Sequence, residues 1–140
     1  MGLDLKSLEA VAEAMVASGK GILAADESTG TIGNRLAQIN TESTAENRNG
    51  YRDLLFSAEG IENYISGVIM YDETLRQSSL ANGIAYPEYL ASKGMIPGIK
   101  VDTGAHDLAG SESEKVTSGL DGLDERLKEY RQIGARFSKW

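Results

Sequence analysis

Residues 64–73 have the sequence YISGVIMYDE, an apolar run that ends in two carboxylates. The run shows no alternation of polar and apolar residues, which is typical of a strand covered on both faces, as in a parallel sheet. We therefore expect a buried parallel strand here, with charged side chains just beyond its carboxyl end. Three further short apolar segments have the same pattern: GILAAD (21–26), MIPGIKVD (95–102) and ARFSKW (135–140).

Helical patterns separate these four predicted strands. One helix precedes the first strand, two lie between the first and second strands, and one lies in each later interval. A segment rich in glycine and serine, TGAHDLAGSES (103–113), is predicted to be a loop. The predicted helices cover residues 4–18, begin at Ser28 and at a Ser43–Glu46 capping box, and extend over 75–90 and 120–130.

Strands that alternate with helices predict an α/β fold built from β-α-β units. Charged residues at successive strand ends favour a (β/α)₈ barrel, in which those ends and their loops form one functional face. A complete barrel needs about 250 residues. We therefore expect residues 1–140 to be the N-terminal half of one barrel domain, with an N-terminal helix and strands 1–4, and the chain to be truncated. A doubly wound open sheet is the alternative.

Composition excludes several classes of function. The chain has 140 residues, with 14 basic and 21 acidic side chains, a net charge of −7, one histidine and no cysteine. A disulfide scaffold, a cysteine nucleophile and cysteine-based zinc sites are excluded, and one histidine cannot build a multi-histidine zinc site, so a metal would have to sit on carboxylates. The acidic balance and the lack of a long apolar segment argue against nucleic-acid and membrane partners. We expect a cytoplasmic protein.

Asp26 stands at the end of the first predicted strand, just before a helix start that carries several hydroxyl groups. Free backbone amides and hydroxyls at a helix N-terminus suit a phosphate group, so the hydroxyls of Ser28, Thr29 and Thr31 are candidate phosphate ligands. Alternatively, Asp26 orders a turn and Ser28 simply caps the helix. The residues alone leave both interpretations open.

Two lysines, Lys100 and Lys139, lie in apolar strand contexts near the same predicted face. Burial of an ammonium group costs several kcal/mol unless the group is paired or loses its proton. Each lysine is therefore expected to have a carboxylate partner or a chemical task, although a strand-end lysine can also point to water. The only histidine, His106, is predicted to lie on the surface.

Five segments in register resemble the first half of class I fructose-bisphosphate aldolase, and the resemblance runs from about residue 8 to residue 140. This family has a (β/α)₈ barrel and reversibly cleaves fructose 1,6-bisphosphate into dihydroxyacetone phosphate and glyceraldehyde 3-phosphate. It uses a lysine Schiff base and no metal or other cofactor. The segments are GKGILAADESTGTIGNRL (19–36), ISGVIMYDETL (65–75), IPGIKVDTGAHDLAG (96–110), GLDGLDERLKEY (119–130) and GARFSKW (134–140).

The resemblance implies a role for each candidate residue. Asp26 matches the first-strand acid that contacts substrate hydroxyls and assists carbon–carbon bond cleavage. Lys139 matches the lysine beside the Schiff base, which assists formation and turnover of the covalent intermediates. The other matching positions belong to phosphate recognition: Lys100, Ser28, Thr31, Arg35 and Arg48.

The chain also departs from the family pattern. The family's glutamate acid/base and Schiff-base lysine lie on its fifth and sixth strands, which these residues do not include, so the chain alone is expected to lack covalent catalysis. Asn34 replaces a residue that is basic in many members. The resemblance further implies homo-oligomers of the full-length protein. Two alternatives are a non-catalytic half-barrel that self-associates or binds sugar phosphate, and a Schiff-base aldolase for another phosphorylated sugar.

Overall fold

The computed structural model describes residues 7–140, which form an α/β fold. The helices are α1 (Leu8–Met15), α2 (Thr29–Ala37), α3 (Ala45–Phe56), α4 (Asp72–Leu75), α5 (Tyr86–Ser92) and α6 (Leu123–Ile133), with a 3₁₀ turn at Ile61–Asn63. The strands are β1 (Gly21–Ala25), β2 (Ile65–Met70), β3 (Ile96–Lys100), β4 (Gly104–Asp107), β5 (Lys115–Ser118) and β6 (Phe137–Lys139).

The four predicted parallel strands are confirmed as one 4-stranded sheet in the order β1-β2-β3-β6. All three pairings are parallel, and the last matches Lys100 with Lys139. Spatial order follows chain order without the reversal that defines the switch point of a doubly wound sheet. The topology therefore favours the barrel over the open-sheet alternative. It also places the carboxyl ends of β1, β3 and β6 on one face.

The core lies between the sheet and the helices that cover it. Val68, Met70 and Ile99 from the central strands are at most 1% exposed. Phe56 of α3 and Tyr86 of α5 meet edge to face over them, with ring centroids 5.0 Å apart. The strands are apolar on consecutive positions, so both of their faces can be buried, one by the helices and the other by the barrel interior.

The prediction of one continuous helix over 75–90 is wrong, because the middle of this segment is not helical. The structure has the short helix α4, a turn closed by a Ser78–Ala85 bridge, and then α5. Gly83 has φ +70°, a left-handed conformation that interrupts a right-handed helix, and Pro87 lies in the first turn of α5. Proline is favoured at such a start because no intrahelical donor is lost there.

Two further predictions need correction, and a third concerns a helix whose first residues lie outside the described part of the chain. The segment over 103–113 is not a loop throughout, because β4 pairs with β5 in an antiparallel hairpin. Helix α3 is capped by Thr44, whose hydroxyl accepts a bond from the amide of Asn47, and not by Ser43. The first residues of the helix predicted over 4–18 lie outside the described residues. Within residues 7–140, no helix is both long and apolar enough to cross a membrane.

Candidate functional site

A cavity of about 510 Å³ opens at the carboxyl ends of β1, β3 and β6. Parallel strands place the residues at their carboxyl ends on one face, so positions far apart in sequence meet there. The lining includes all the candidate site residues from the sequence except Thr29 and Arg48. It consists of Ala24, Asp26, Glu27, Ser28, Thr31, Arg35, Tyr71, Lys100, Asp102, Thr103, Gly104 and Lys139.

Asp26 and Lys139 form an ion pair across the cavity, with Lys139 Nζ 2.8 Å from Asp26 Oδ2. Asp26 directly follows β1 and Lys139 ends β6, so the sheet brings together two residues that are 113 positions apart in the sequence. The side chain of Asp26 is 10% exposed, whereas that of Lys139 is 43% exposed. The Asp26 carboxylate therefore lies at the bottom of the cavity, and the Lys139 ammonium group lies nearer its opening, where a bound molecule can reach it.

Lys100 is held by the turn that follows β3. Its Nζ donates to Asp102 Oδ1 at 2.5 Å and to the Asp102 carbonyl at 3.0 Å. The amide of Gly104 also donates to Asp102 Oδ1, at 3.1 Å. Partial burial opposes ionisation of Asp102, but the hydrogen bond and charge of Lys100 outweigh it and lower the pKa of this carboxyl. The carboxylate thus keeps Lys100 folded towards the cavity wall.

Two of the candidate hydroxyls lie together at the start of α2. Ser28 Oγ and Thr31 Oγ1 are 3.2 Å apart. Ser28 occupies the N-cap position, yet its side chain makes no capping hydrogen bond in the described structure. Its hydroxyl is directed to Thr31 and the cavity, so the interpretation of Ser28 as only a helix cap is not supported. The first-turn amides of α2 are available to an anion.

Arg35 extends from the last turn of α2 over the cavity and is held by two polar partners. Its Nη1 donates to Glu27 Oε1 and to the hydroxyl of Tyr51, the latter at 3.0 Å. The hydrogen bond to Tyr51 and the charge of Glu27 raise the pKa of Arg35, and an arginine is charged at neutral pH even without such partners. Its side chain is 52% exposed, which leaves its other nitrogens open to a second anion.

Arg48 is a candidate that the structure does not bring into this cavity. Its Nε and Nη2 donate to the two carboxylate oxygens of Glu73 at 2.7 and 2.6 Å. Its Nη1 donates to the carbonyl and hydroxyl of Ser43. The bidentate pair joins α3 to α4, so these contacts indicate a structural link between helices.

We expect the Glu73→Gln variant to lose about 1–2 kcal/mol of unfolding free energy at pH 7, because Arg48 keeps only part of its hydrogen bonding. The Arg48 hydrogen bond outweighs burial and lowers the pKa of Glu73. The stabilisation is therefore present above the ordinary carboxyl pKa of about 4.3 and is lost as pH falls through the lower native value. Urea unfolding at pH 7 and near pH 3 measures the difference, which should shrink in acid.

The matched control is Glu112→Gln, at an exposed position in the hairpin loop. It should leave the unfolding free energy at pH 7 within about 0.5 kcal/mol of the unsubstituted chain. A Glu73→Gln cost that is absent at pH 7, or that grows in acid, would contradict the proposed structural role of the Arg48–Glu73 pair.

Charge in the cavity is balanced by internal ion pairs. Three cationic side chains line it, Arg35, Lys100 and Lys139, and each has a carboxylate partner among Glu27, Asp102 and Asp26. A dianionic phosphate can share these cations at the open side. Among the described residues, no group of histidine and carboxylate side chains is arranged to hold a metal ion. The carboxylate, amine and guanidinium groups that line the cavity can bind an anion and transfer protons.

Sequence reasoning overlooked Glu27, which lines the cavity and connects two arginines. Its position beside Asp26 in a predicted strand-end turn was a signal that could have identified it.

His106 lies on β4 as an exposed residue, as predicted. On α6, the exposed side chains of Asp124 and Lys128 form an ion pair, with Lys128 Nζ 2.5 Å from Asp124 Oδ2.

A family model described as Fructose-bisphosphate aldolase class-I matches residues 7–140. The chain is 54% identical over 138 residues to the probable fructose-bisphosphate aldolase class 1 of Xylella fastidiosa, covering 99% of this chain and 41% of that protein. It is 55% identical over 122 residues to the cytosolic fructose-bisphosphate aldolase 6 of Arabidopsis thaliana, covering 87% of this chain and 34% of that protein.

A solved structure gives the same result for the fold. The fructose-bisphosphate aldolase of Plasmodium falciparum, in complex with TRAP and a small-molecule inhibitor, superposes with a TM-score of 0.91 at 50% identity. The match covers 97% of this chain and 39% of that one, and it confirms the predicted barrel class. The chain thus spans about two fifths of the length of the relatives it matches. On this combined agreement, the chain belongs to the class I fructose-bisphosphate aldolase family.

Proposed function

We propose that residues 1–140 are the N-terminal half of one barrel domain and form part of the active site of a fructose-bisphosphate aldolase. The observation that carries the proposal is the meeting of Asp26, Lys100 and Lys139 around one cavity. Those three positions come from three strands and match the family's strand-end residues. The substrate is fructose 1,6-bisphosphate, which is cleaved reversibly to dihydroxyacetone phosphate and glyceraldehyde 3-phosphate.

Asp26 and Lys139 form the catalytic pair of this half. The Asp26 carboxylate, 2.8 Å from the Lys139 ammonium, is placed to accept a proton from a substrate hydroxyl during carbon–carbon cleavage. Lys139, being partly exposed, can donate to oxygen atoms as the covalent intermediate forms and breaks down. Its positive charge also favours the unprotonated form of a neighbouring lysine, which the family uses as nucleophile.

The phosphate groups require cations and hydrogen-bond donors on the cavity wall. Lys100 and Arg35 supply charge, and the hydroxyls of Ser28 and Thr31 lie at the start of α2, whose free amides add further donors. Charge-assisted hydrogen bonds of this kind are stronger than those between neutral groups. Arg48 is assigned no direct phosphate contact in this proposal, because Glu73 and Ser43 occupy its donors.

The Schiff-base lysine and the glutamate acid/base come, in the family, from strands that these 140 residues do not include. Cleavage is therefore proposed for the complete barrel. No metal or other cofactor takes part in the proposed reaction, which runs through carboxylate and amine groups. By analogy with the cytosolic Arabidopsis relative, we place the protein in the cytoplasm, and we propose a homo-oligomer for the complete barrel.

The test is a chimera in which residues 7–140 replace the matching segment of the Plasmodium falciparum aldolase, chosen because the two superpose closely. We expect the chimera to cleave fructose 1,6-bisphosphate, and borohydride added with substrate to trap one lysine covalently, as measured by mass spectrometry. The unmodified aldolase is the positive control. A folded chimera that neither cleaves the substrate nor traps a lysine would contradict the proposed function.

A further inference from the structure

Arg52 of α3 is an arginine buried directly beneath the candidate site. Its side chain is 2% exposed, and it is the largest of the fully buried side chains among the described residues. Within residues 7–140, its Nε and Nη1 have no hydrogen-bond partner. Burial lowers the pKa of this guanidinium, against the opposing charge of Glu27. If this position only had to fill space, an apolar residue would be favoured there, because burial of a charge is costly.

The contacts of Arg52 are made to the turn that follows β1. Its Nη2 donates to the Glu27 carbonyl at 2.8 Å and lies 3.2 Å from Glu27 Oε2. Glu27 is joined by a peptide bond to Asp26, the cavity carboxylate that pairs with Lys139. Arg52 therefore holds the backbone one residue after Asp26, in the turn from which the Asp26 side chain enters the cavity.

The same contacts reach the exposed cation of the cavity. Arg52 faces Oε2 of the Glu27 carboxylate. The other oxygen, Oε1, accepts a hydrogen bond from Arg35. The hydroxyl of Tyr51, on the turn of α3 next to Arg52, donates to Oε1 at 3.5 Å and accepts from Arg35 at 3.0 Å. Glu27 is thus held between a buried arginine below and a cavity-facing arginine above.

We propose that Arg52 is a positioning residue of the sugar-phosphate site: it anchors Glu27 and thereby sets the orientation of Asp26 and Arg35 in the cavity. Arg52 does not line the cavity and touches no substrate. Its effect is pre-organisation, because a turn already held in its bound conformation loses less conformational freedom when the ligand binds. The inference rests on the proposed function, in that it assumes a phosphorylated sugar as ligand.

The test uses the 140-residue chain with Arg52→Met, Arg52→Lys and a control, Phe56→Leu. Phe56 is buried on the same helix, packs against Tyr86 and is assigned no part in the site, so its truncation loosens α3 without touching Glu27. Calorimetry measures the Kd for fructose 1,6-bisphosphate at a temperature where circular dichroism shows all variants folded. Relaxation of ¹⁵N amides in residues 26–31 reports the order of the turn.

We expect Arg52→Met to raise the Kd about tenfold and to lower the order parameters of residues 26–31. Arg52→Lys should recover part of the affinity, since an ammonium can still donate to the Glu27 carbonyl. Phe56→Leu should lower the thermal midpoint while leaving both readouts unchanged. The role of Arg52 is overturned if residues 26–31 remain as ordered in Arg52→Met as in Phe56→Leu, whatever the binding result. Absence of binding by the unsubstituted chain would mean that the other half of the barrel is needed to hold the ligand, and the order of residues 26–31 then decides the role of Arg52 by itself.

Discussion

Lys139→Ala in the chimera is expected to lower kcat by about three orders of magnitude, the effect typical of losing a side chain that moves a proton in the transition state. Lys139 faces the cavity and lies 2.8 Å from Asp26, so its removal takes away a proton donor and leaves the buried carboxylate unpaired. Steady-state cleavage of fructose 1,6-bisphosphate measures the loss. KM should change less than kcat, because the proposed phosphate contacts of Lys100 and Arg35 remain.

Lys128→Ala provides the matched control. Lys128 is an exposed lysine of α6 whose Nζ bonds to Asp124, and it lies outside the cavity lining. Its removal should leave kcat and KM within twofold of the unsubstituted chimera. Near-normal rates in both variants would show that Lys139 is not part of the catalytic machinery. A loss of the folded circular dichroism spectrum in Lys139→Ala would instead assign its effect to stability.

The parallel sheet could be predicted because its signal is local. The runs around Leu23, Val68 and Ile99 are apolar on consecutive positions, and each is followed by a charged residue. Burial on both faces requires the first feature, and the shared carboxyl edge of a barrel explains the second. The same reasoning placed Asp26 and Lys139 on one face. It could not supply their 2.8 Å separation, which depends on the registers of all three strand pairings between β1 and β6.

The features that were missed depend on contacts between distant or competing segments. The β4–β5 hairpin is short and exposed, with little apolar alternation, and Gly104 and Ser111 suggested a loop instead. The choice of Thr44 over Ser43 as helix cap is a one-residue difference that local propensity cannot resolve. The resemblance alone assigns Arg48 to phosphate recognition, and nothing in the sequence indicates that Glu73, 25 positions later, binds its guanidinium.

We expect Gly98→Ala to destabilise the fold by about 2–3 kcal/mol, the upper part of the range for overpacking a core. Gly98 lies in the middle of β3, opposite Phe137 of β6. A Cβ added at Gly98 would stand 2.5 Å from Cε1 and Cε2 of the Phe137 ring and closer still to Cζ. Carbon atoms pack favourably at about 3.5–4.0 Å, so the ring must move away from β3. Urea unfolding measures the cost.

The control is Gly21→Ala in β1, where an added Cβ meets no atom within 4 Å. It should be neutral or slightly stabilising, since alanine loses less backbone entropy than glycine on folding. A double-mutant cycle with Phe137→Leu then identifies the cause. If the ring is the obstacle, the cost of Gly98→Ala should fall below about 1 kcal/mol in the Phe137→Leu background. An unchanged cost would mean that backbone conformation, and not the ring, requires glycine at this position.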